Sequence, residues 1–169
     1  MKKLNINLSL KLIVTFVIII CLILVIFLIK VNSNKGFKIN TYNENGIKFN
    51  YDNTFRLTNK KDYIELVTTD NTSVVAIKKI DYSFDLDLDN AESIAYQITL
   101  EDGSYNKVYN EFKENKYYFL YENYEKGKQI EIIEYQKDDY LYLIVFEANS
   151  NEFDLYQESF DIIINSFKV

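Results

Sequence analysis

An acidic segment near the middle of the chain carries the residue types best suited to chemistry. In "DYSFDLDLDN", Asp85, Asp87 and Asp89 have the spacing of the first three calcium ligands in an EF-hand loop. However, Asn90 stands where the loop glycine should be, and Tyr96 stands where the closing glutamate should be. Two interpretations stay open: a non-standard site for a hard cation such as calcium, with those three aspartates as ligands, or an edge strand with one face in water.

The residues that are missing exclude most kinds of catalytic site. The chain has no His, which excludes a Ser-His-Asp triad, an imidazole base and a histidine metal ligand. Its single thiol, Cys21, lies in an apolar run, and its four glycines are too scattered to form a phosphate-binding loop. The carboxylate pairs Asp138–Asp139 and Glu101–Asp102 fall in predicted turns, where such pairs are usually solvated. We therefore predict no catalytic residue and no cofactor.

The charge distribution argues against a nucleic-acid partner. After the first 30 residues the chain carries 15 Lys and Arg against 25 Asp and Glu. Within this part of the chain, only Lys60–Lys61 and Lys78–Lys79 place two basic residues side by side. Binding a phosphate backbone needs a clustered basic surface, and the sequence does not provide one.

The run "LIVTFVIIICLILVIFLI", residues 12–29, predicts a membrane anchor. Eighteen helical residues span roughly 27 Å, close to the ~30 Å hydrocarbon core of a bilayer. A cleaved signal peptide is a weaker interpretation because no small-x-small cleavage site follows the run. Lipidation at Cys21 is weaker still, since three isoleucines precede Cys21 and an apolar octamer follows it. A buried helix of a soluble domain would need a polar face, which the run lacks.

The flanking charges favour an N-terminus in the cytoplasm by a small margin. Lys2, Lys3, Lys11 and the α-amine precede the run, whereas Lys30, Lys35 and Lys38 follow it. We therefore predict a single-pass protein of the cell membrane whose C-terminal domain lies outside the cytoplasm. Its predicted segments are a cytoplasmic N-terminus (1–11), a transmembrane signal-anchor helix (12–29), a linker (30–36) and an extracytoplasmic domain (37–169).

Beyond the linker, alternating apolar and polar residues separated by turn residues predict a series of strands. "NENG", between the first two strands, predicts a hairpin turn in which Gly46 takes a positive φ. Short breaks such as "ENK", "EKGK" and "KDD" favour antiparallel neighbours. The predicted strands are 37–42, 47–51, 55–58, 63–69, 73–80, 105–112, 117–124, 129–136 and 140–148.

Two helices interrupt the strands. Asn90 predicts the N-cap of the first helix, whose apolar residues at 91, 94, 95 and 98 share one face. Asn151 followed by Asp154 predicts the start of the second helix. The strand "YLYLIVFEA" is apolar on both faces, which predicts a central strand covered on both sides. The fold class is therefore α+β: a mainly antiparallel sheet with helices packed on its faces, preceded by one N-terminal transmembrane helix.

Three stretches resemble the PsbP-type domain: "GIKFNYDNTF", "DDYLYLIVFEANSNEFDLY" and the closing "SFDIIINSFKV". That family opens on an aromatic strand followed by Tyr-Pro-x-x-Trp, and here Asp52 replaces the Pro and Phe55 the Trp. The resemblance covers roughly 37–169 and rests mostly on packing residues. It implies an antiparallel sheet between helical layers and, in bacteria, an extracytoplasmic accessory or binding role.

These observations predict a non-enzymatic, membrane-anchored binding or accessory module at the cell envelope. Tyr117, Tyr118, Tyr121 and Tyr124 alternate across two faces; most such residues pack in the core, and the rest provide an aromatic face for an envelope protein or glycan. A hydrolase relying on carboxylates or a metal, and a purely structural envelope component, are the alternatives. The residues do not indicate an oligomeric state.

Overall fold

The computed structural model describes residues 38–100 and 103–169. The predicted cytoplasmic segment, anchor helix, linker and Phe37 lie outside these residues, as do Glu101 and Asp102. Lys38–Val169 forms one compact unit. Among the helices of the described part, none is long and apolar enough to cross a membrane.

The described part combines a two-stranded hairpin, a seven-stranded sheet and two helices, which confirms the predicted α+β class. The hairpin is β1-β2, and the sheet has the order β3-β4-β5-β9-β8-β7-β6, with every pair antiparallel. Each predicted strand has an observed counterpart. The elements are β1 (Asn40–Glu44), β2 (Ile47–Tyr51), β3 (Phe55–Asn59), β4 (Ile64–Thr68), β5 (Ser73–Asp81), α1 (Leu88–Leu100), β6 (Asn106–Lys113), β7 (Lys116–Asn123), β8 (Lys128–Lys137), β9 (Tyr140–Asn149) and α2 (Phe153–Ser166).

Tight turns fix the register of the hairpins. Asn45 and Gly46 both have positive φ, 54° and 77°, as the central residues of a type I′ turn require. This confirms the predicted role of Gly46. Glu114 and Asn115, with φ of 53° and 61°, connect β6 to β7 in the same way. This turn therefore fixes the residue pairing between β6 and β7 at the end where the two strands meet.

Strand β9 lies at the centre of the sheet, between β5 and β8, as its apolar sequence predicted. Ile144 and Phe146 of β9 join the core under α2, whereas Val145 packs against the core on the other side of the sheet. Strand β8 divides in the same way, with Ile133 in the first core and Ile132 in the second. We call the two sides of the sheet the α2 face and the α1 face.

Helix α2 covers the α2 face with the apolar stripe that the sequence predicted. Phe160 stacks on Phe146 with ring centroids 4.7 Å apart, and Ile163 is fully buried. Burying a large apolar side chain contributes about 1.5–3 kcal/mol, so this stripe is a principal attachment of the helix.

The predicted start of α2 is wrong. The helix begins at Phe153 and not just after Asn151, and its N-cap residue, Glu152, makes no side-chain capping bond. Instead, the Asn149 amide donates to the Glu152 carboxylate at 3.0 Å, and the Glu152 backbone N–H donates to the Asn149 carbonyl at 2.9 Å. These two bonds form the turn from which the helix starts.

Candidate functional site

The connection from β5 to α1 crosses the α1 face and is held there by side chains of β7 and β8. The Tyr117 hydroxyl donates to the carbonyl of Leu86 at 3.4 Å. The Gln136 amide accepts the backbone N–H of Leu86 at 2.7 Å and donates to the carbonyl of Phe84 at 2.6 Å. The backbone N–H of Tyr82 donates to the carbonyl of Asp139 at 2.7 Å. The Gln136 side chain takes the place of a strand partner for Phe84 and Leu86, and residues 82–87 belong to no strand. The interpretation of "FDLDLD" as an edge strand is therefore wrong.

The three candidate metal ligands lie in different surroundings. Asp87 caps α1, accepting the backbone N–H of Asn90 at 2.8 Å through its side chain and that of Ala91 at 3.0 Å through its carbonyl. Asp87 and not Asn90 is thus the capping residue, a correction to the prediction. Asp85 lines a small cleft that includes Phe112 and Gln136, whereas Asp89 lines a separate groove along α1.

This arrangement gives the calcium hypothesis no support. Within residues 38–100 and 103–169, no group of three or more His, Cys, Asp or Glu side chains could hold a metal ion. Binding of calcium by Asp85, Asp87 and Asp89 stays a prediction that titration can test. The chemistry of this region therefore depends on the groove that Asp89 helps to form.

The groove runs between α1 and strands β6 and β7 and has a volume of about 390 Å³. Helix α1 supplies its first wall with a polar stripe at the i, i+3, i+4 and i+7 positions, which share one helical face. The buried residues Ala91 and Ala95 lie on another side of the helix and pack against the sheet. The stripe consists of Asp89, Glu92, Ser93 and Tyr96.

The strands supply the second wall and the floor. Lys107 of β6 lies directly opposite Tyr121 of β7 in the antiparallel register, and Tyr105 precedes Lys107 by two residues. Lys107 forms an ion pair with Glu92, which joins the strand wall to the helix wall. Tyr121 is only 2% exposed and forms the floor, whereas Tyr96 is 53% exposed and stands at the rim.

The Tyr121 hydroxyl on the floor of the groove is a hydrogen-bond donor that the described fold does not use. Its ring stacks on Phe119, but no hydrogen bond to the hydroxyl is formed by any group in the described part of the chain. Burial, followed by the negative charges of Glu92 and Glu134, raises the pKa of Tyr121 to about 12. The hydroxyl therefore stays protonated at neutral pH and can donate a hydrogen bond.

The buried acidic side chains Asp52, Glu131 and Glu134 do not line the groove. Glu131 projects from β8 onto the α2 face, where the Gln157 amide donates to it at 3.2 Å. Glu134 projects from the same strand onto the α1 face and is completely buried. Burial raises the pKa of both side chains. The sheet separates them, so they cannot act together on one substrate.

The four tyrosines singled out in the sequence have different environments. Tyr117 and Tyr121 belong to the core of the α1 face, and Tyr118 packs against the core of the α2 face. Tyr124 is 70% exposed in the turn after β7. The residues that combine with Tyr121 to form the groove were not predicted from the sequence. The polar stripe on α1 is the signal that could have identified half of them.

Comparison with known proteins establishes the fold but no closer relationship. No family model matches the chain, and no curated protein matches it. Among solved structures, the solution structure of cyanobacterial PsbP (CyanoP) from Synechocystis sp. PCC 6803 is similar, with a TM-score of 0.59 and 15% sequence identity. The match covers 78% of this chain and 92% of that one. The resemblance seen in the sequence is thus confirmed at the level of architecture: the chain contains a domain with a PsbP-like fold.

Proposed function

We propose that the chain is a single-pass, membrane-anchored protein whose extracytoplasmic domain is a non-enzymatic binding module of the cell envelope. The groove between α1 and the β6–β7 strands is the proposed binding surface. The observation that carries this proposal is the Tyr121 side chain, which is only 2% exposed yet lines the groove, and whose hydroxyl has no hydrogen-bond partner among the described residues. The hydroxyl faces the groove, where it can donate a hydrogen bond to a ligand that displaces water.

The positions of the acidic side chains favour a binding role for the groove over a catalytic one. A hydrolase that relies on two carboxylates needs both positioned on one reacting centre. In the groove, Glu92 is paired with Lys107 and Asp89 is exposed. The buried acidic side chains Asp52, Glu131 and Glu134 do not line it. The alternative of a carboxylate-dependent or metal-dependent hydrolase has no such converging pair to support it.

The proposed location rests on the sequence of the N-terminal segment. Residues 12–29 have the length and composition of a spanning helix, and the preceding lysines favour a cytoplasmic N-terminus. The partner in this proposal is an envelope protein or glycan that reaches the groove from outside the membrane. Nucleic acid is an unsuitable partner because the domain is acidic.

Photo-crosslinking in living cells tests this proposal. A photoreactive amino acid replaces Tyr96 at the rim of the groove in one variant and Leu155 on α2 in a control variant. Both side chains are strongly exposed, at 53% and 71%, but their helices pack on opposite faces of the sheet. We expect an adduct with an envelope component from position 96 and none of the same mobility from position 155.

Two results would contradict the proposal. Adducts that are equal at both positions, or absent from position 96, would show that the groove is not a binding surface. Cleavage of the captured component by the purified full-length chain would replace the binding role with an enzymatic one.

A further inference from the structure

We infer that the ligand of the groove is a neutral oligosaccharide that presents hydroxyl and acetamido groups. This inference deepens the proposed function and rests on it. It concerns the chemical class of the ligand, and it is carried by the arrangement of donors, acceptors and ring surfaces along the two walls.

The groove offers hydrogen-bond donors and acceptors at separate places. The Tyr121 hydroxyl on the floor is a donor without a partner among the described residues, and the Lys107 ammonium keeps donors beyond its bond to Glu92. On the helix wall, Asp89 is an exposed carboxylate that only accepts hydrogen bonds when ionised. A ligand that both donates and accepts at short intervals satisfies the two walls together. Sugar hydroxyls do both, and an acetamido group pairs one N–H donor with one carbonyl acceptor.

The groove also offers apolar ring surface beside these polar groups. Tyr96 exposes half of its side chain at the rim, and Tyr105 lines the strand wall. A tyrosine ring combines an apolar face with a polar tip, which suits a ligand that has both kinds of surface. The C–H face of a pyranose ring meets this description. The volume of about 390 Å³ is within the range of about 300–1,000 Å³ found for small-ligand sites.

The charges of the groove disfavour the ionic alternatives. An anionic ligand would meet Asp89 and Glu92, while the one cation of the lining, Lys107, is already paired. A cationic peptide would bring its ammonium groups close to the ammonium of Lys107. A neutral ligand is repelled by neither the carboxylates nor the ammonium group, and it can bond both the Tyr121 hydroxyl and the Asp89 carboxylate.

Calorimetric titration of the full-length chain tests the inference. The chain is purified in a detergent without a sugar headgroup, because alkyl glycosides would compete for the groove. It is titrated with tetra-N-acetylchitotetraose and with cellotetraose as neutral probes, and with tetralysine and tetraglutamate as charged probes. We expect saturable binding of the acetylated tetrasaccharide, weaker binding of cellotetraose and no binding of the charged peptides.

Variants connect this binding to the groove. Tyr121→Phe removes only the hydroxyl, and we expect a three- to tenfold loss of affinity with an unchanged melting temperature, since the hydroxyl has no partner to lose within the described fold. Tyr96→Ala removes the ring at the rim and should cost about tenfold. Tyr124→Phe makes the same chemical change as Tyr121→Phe in an exposed turn outside the groove, and it should leave affinity unchanged.

The possible outcomes separate this inference from the proposed function. No saturable heat from either tetrasaccharide up to about 10 mM overturns the sugar assignment. Tighter binding of tetralysine than of both sugars also overturns it, as does sugar binding that survives both groove substitutions. If position 96 nevertheless crosslinks to an envelope protein in cells, the proposed function stands and only the ligand class is wrong. If neither experiment detects a ligand, both fail.

Discussion

Glu134 is the residue whose environment is least expected for its type. It lies on β8 between Tyr117 of β7 and Leu143 of β9, is completely buried, and neither of its oxygens has a hydrogen-bond partner in the described part of the chain. Burial raises its pKa from 4.5 to about 8. Its titratable neighbours on the α1 face are Tyr117, Tyr82 and Tyr121. The charge of Glu134 raises the pKa values of Tyr82 and Tyr121 in part. Glu134 therefore remains protonated in the folded state at neutral pH.

This environment predicts that the domain loses stability as the pH rises. The folded state binds the Glu134 proton more tightly than the unfolded state does. The resulting stabilisation is complete below about pH 4.5 and is lost progressively up to about pH 8, on the order of a few kcal/mol in total. Glu134→Gln removes the titration, so the difference in unfolding free energy between wild type and variant should change steadily between these pH values, in favour of the variant at high pH. Denaturation followed by circular dichroism at several pH values measures this.

A matched control makes the Glu134 test specific. Glu125→Gln makes the same change at an exposed turn residue and should reproduce the pH profile of the wild type. A Glu134→Gln profile that runs parallel to wild type from pH 5 to pH 8 would contradict the assignment of a buried, neutral carboxyl group.

At the scale of elements, one buried polar link attaches α2 to the turn between β2 and β3. Asp52 is completely buried, accepts the backbone N–H of Thr54 at 2.8 Å and accepts the Ser159 hydroxyl of α2 at 2.6 Å. This aspartate occupies the place where the PsbP-type pattern has Pro. A proline would restrict the backbone at this position, whereas the aspartate holds the turn through two hydrogen bonds.

Removing either side of this link should loosen α2. Asp52→Ala leaves the Ser159 hydroxyl and the Thr54 N–H without their acceptor, and Ser159→Ala leaves a buried carboxylate oxygen without its donor. We expect each to cost about 1–3 kcal/mol of unfolding free energy, and the double variant to cost less than the sum of the two. Chemical denaturation of the four proteins in a double-mutant cycle measures the coupling. Asp62→Ala, at an exposed aspartate before β4, is the control; strict additivity would mean that the two residues do not interact.

The sequence predicted the strands far better than the helix starts and the groove. Strand positions follow from local alternation and from turn residues such as Asn45 and Gly46, which act over a few residues. The helix starts depend on side chains that alternation does not identify: Asp87 caps α1, and Asn149 forms the turn before α2. The groove needs Tyr96 and Tyr121 to meet across a helix–sheet contact, and the local spacing of residues carries no information about that contact.

At the scale of the whole molecule, the proposal joins two segments of opposite character. Residues 1–30 contain four lysines and no acidic residue, whereas the rest of the chain has 15 basic and 25 acidic residues. Lysines near a spanning helix are retained on the cytoplasmic side, while acidic residues contribute little to orientation. In the proposed topology, the orientation of the chain depends on the small excess of positive charge before residue 12 over that after residue 29.

This balance predicts how the topology responds to charge substitutions. In intact cells stripped of their wall, added protease should digest the domain of the wild-type chain. Lys30→Gln, Lys35→Gln and Lys38→Gln together remove the competing charges and should keep the whole population accessible, whereas Lys2→Gln, Lys3→Gln and Lys11→Gln together should protect part of it. The two triple variants remove the same number of charges, so each is the control for the other. A wild-type domain that resists protease in intact cells and is digested only after lysis would place it in the cytoplasm and remove the groove from any envelope partner.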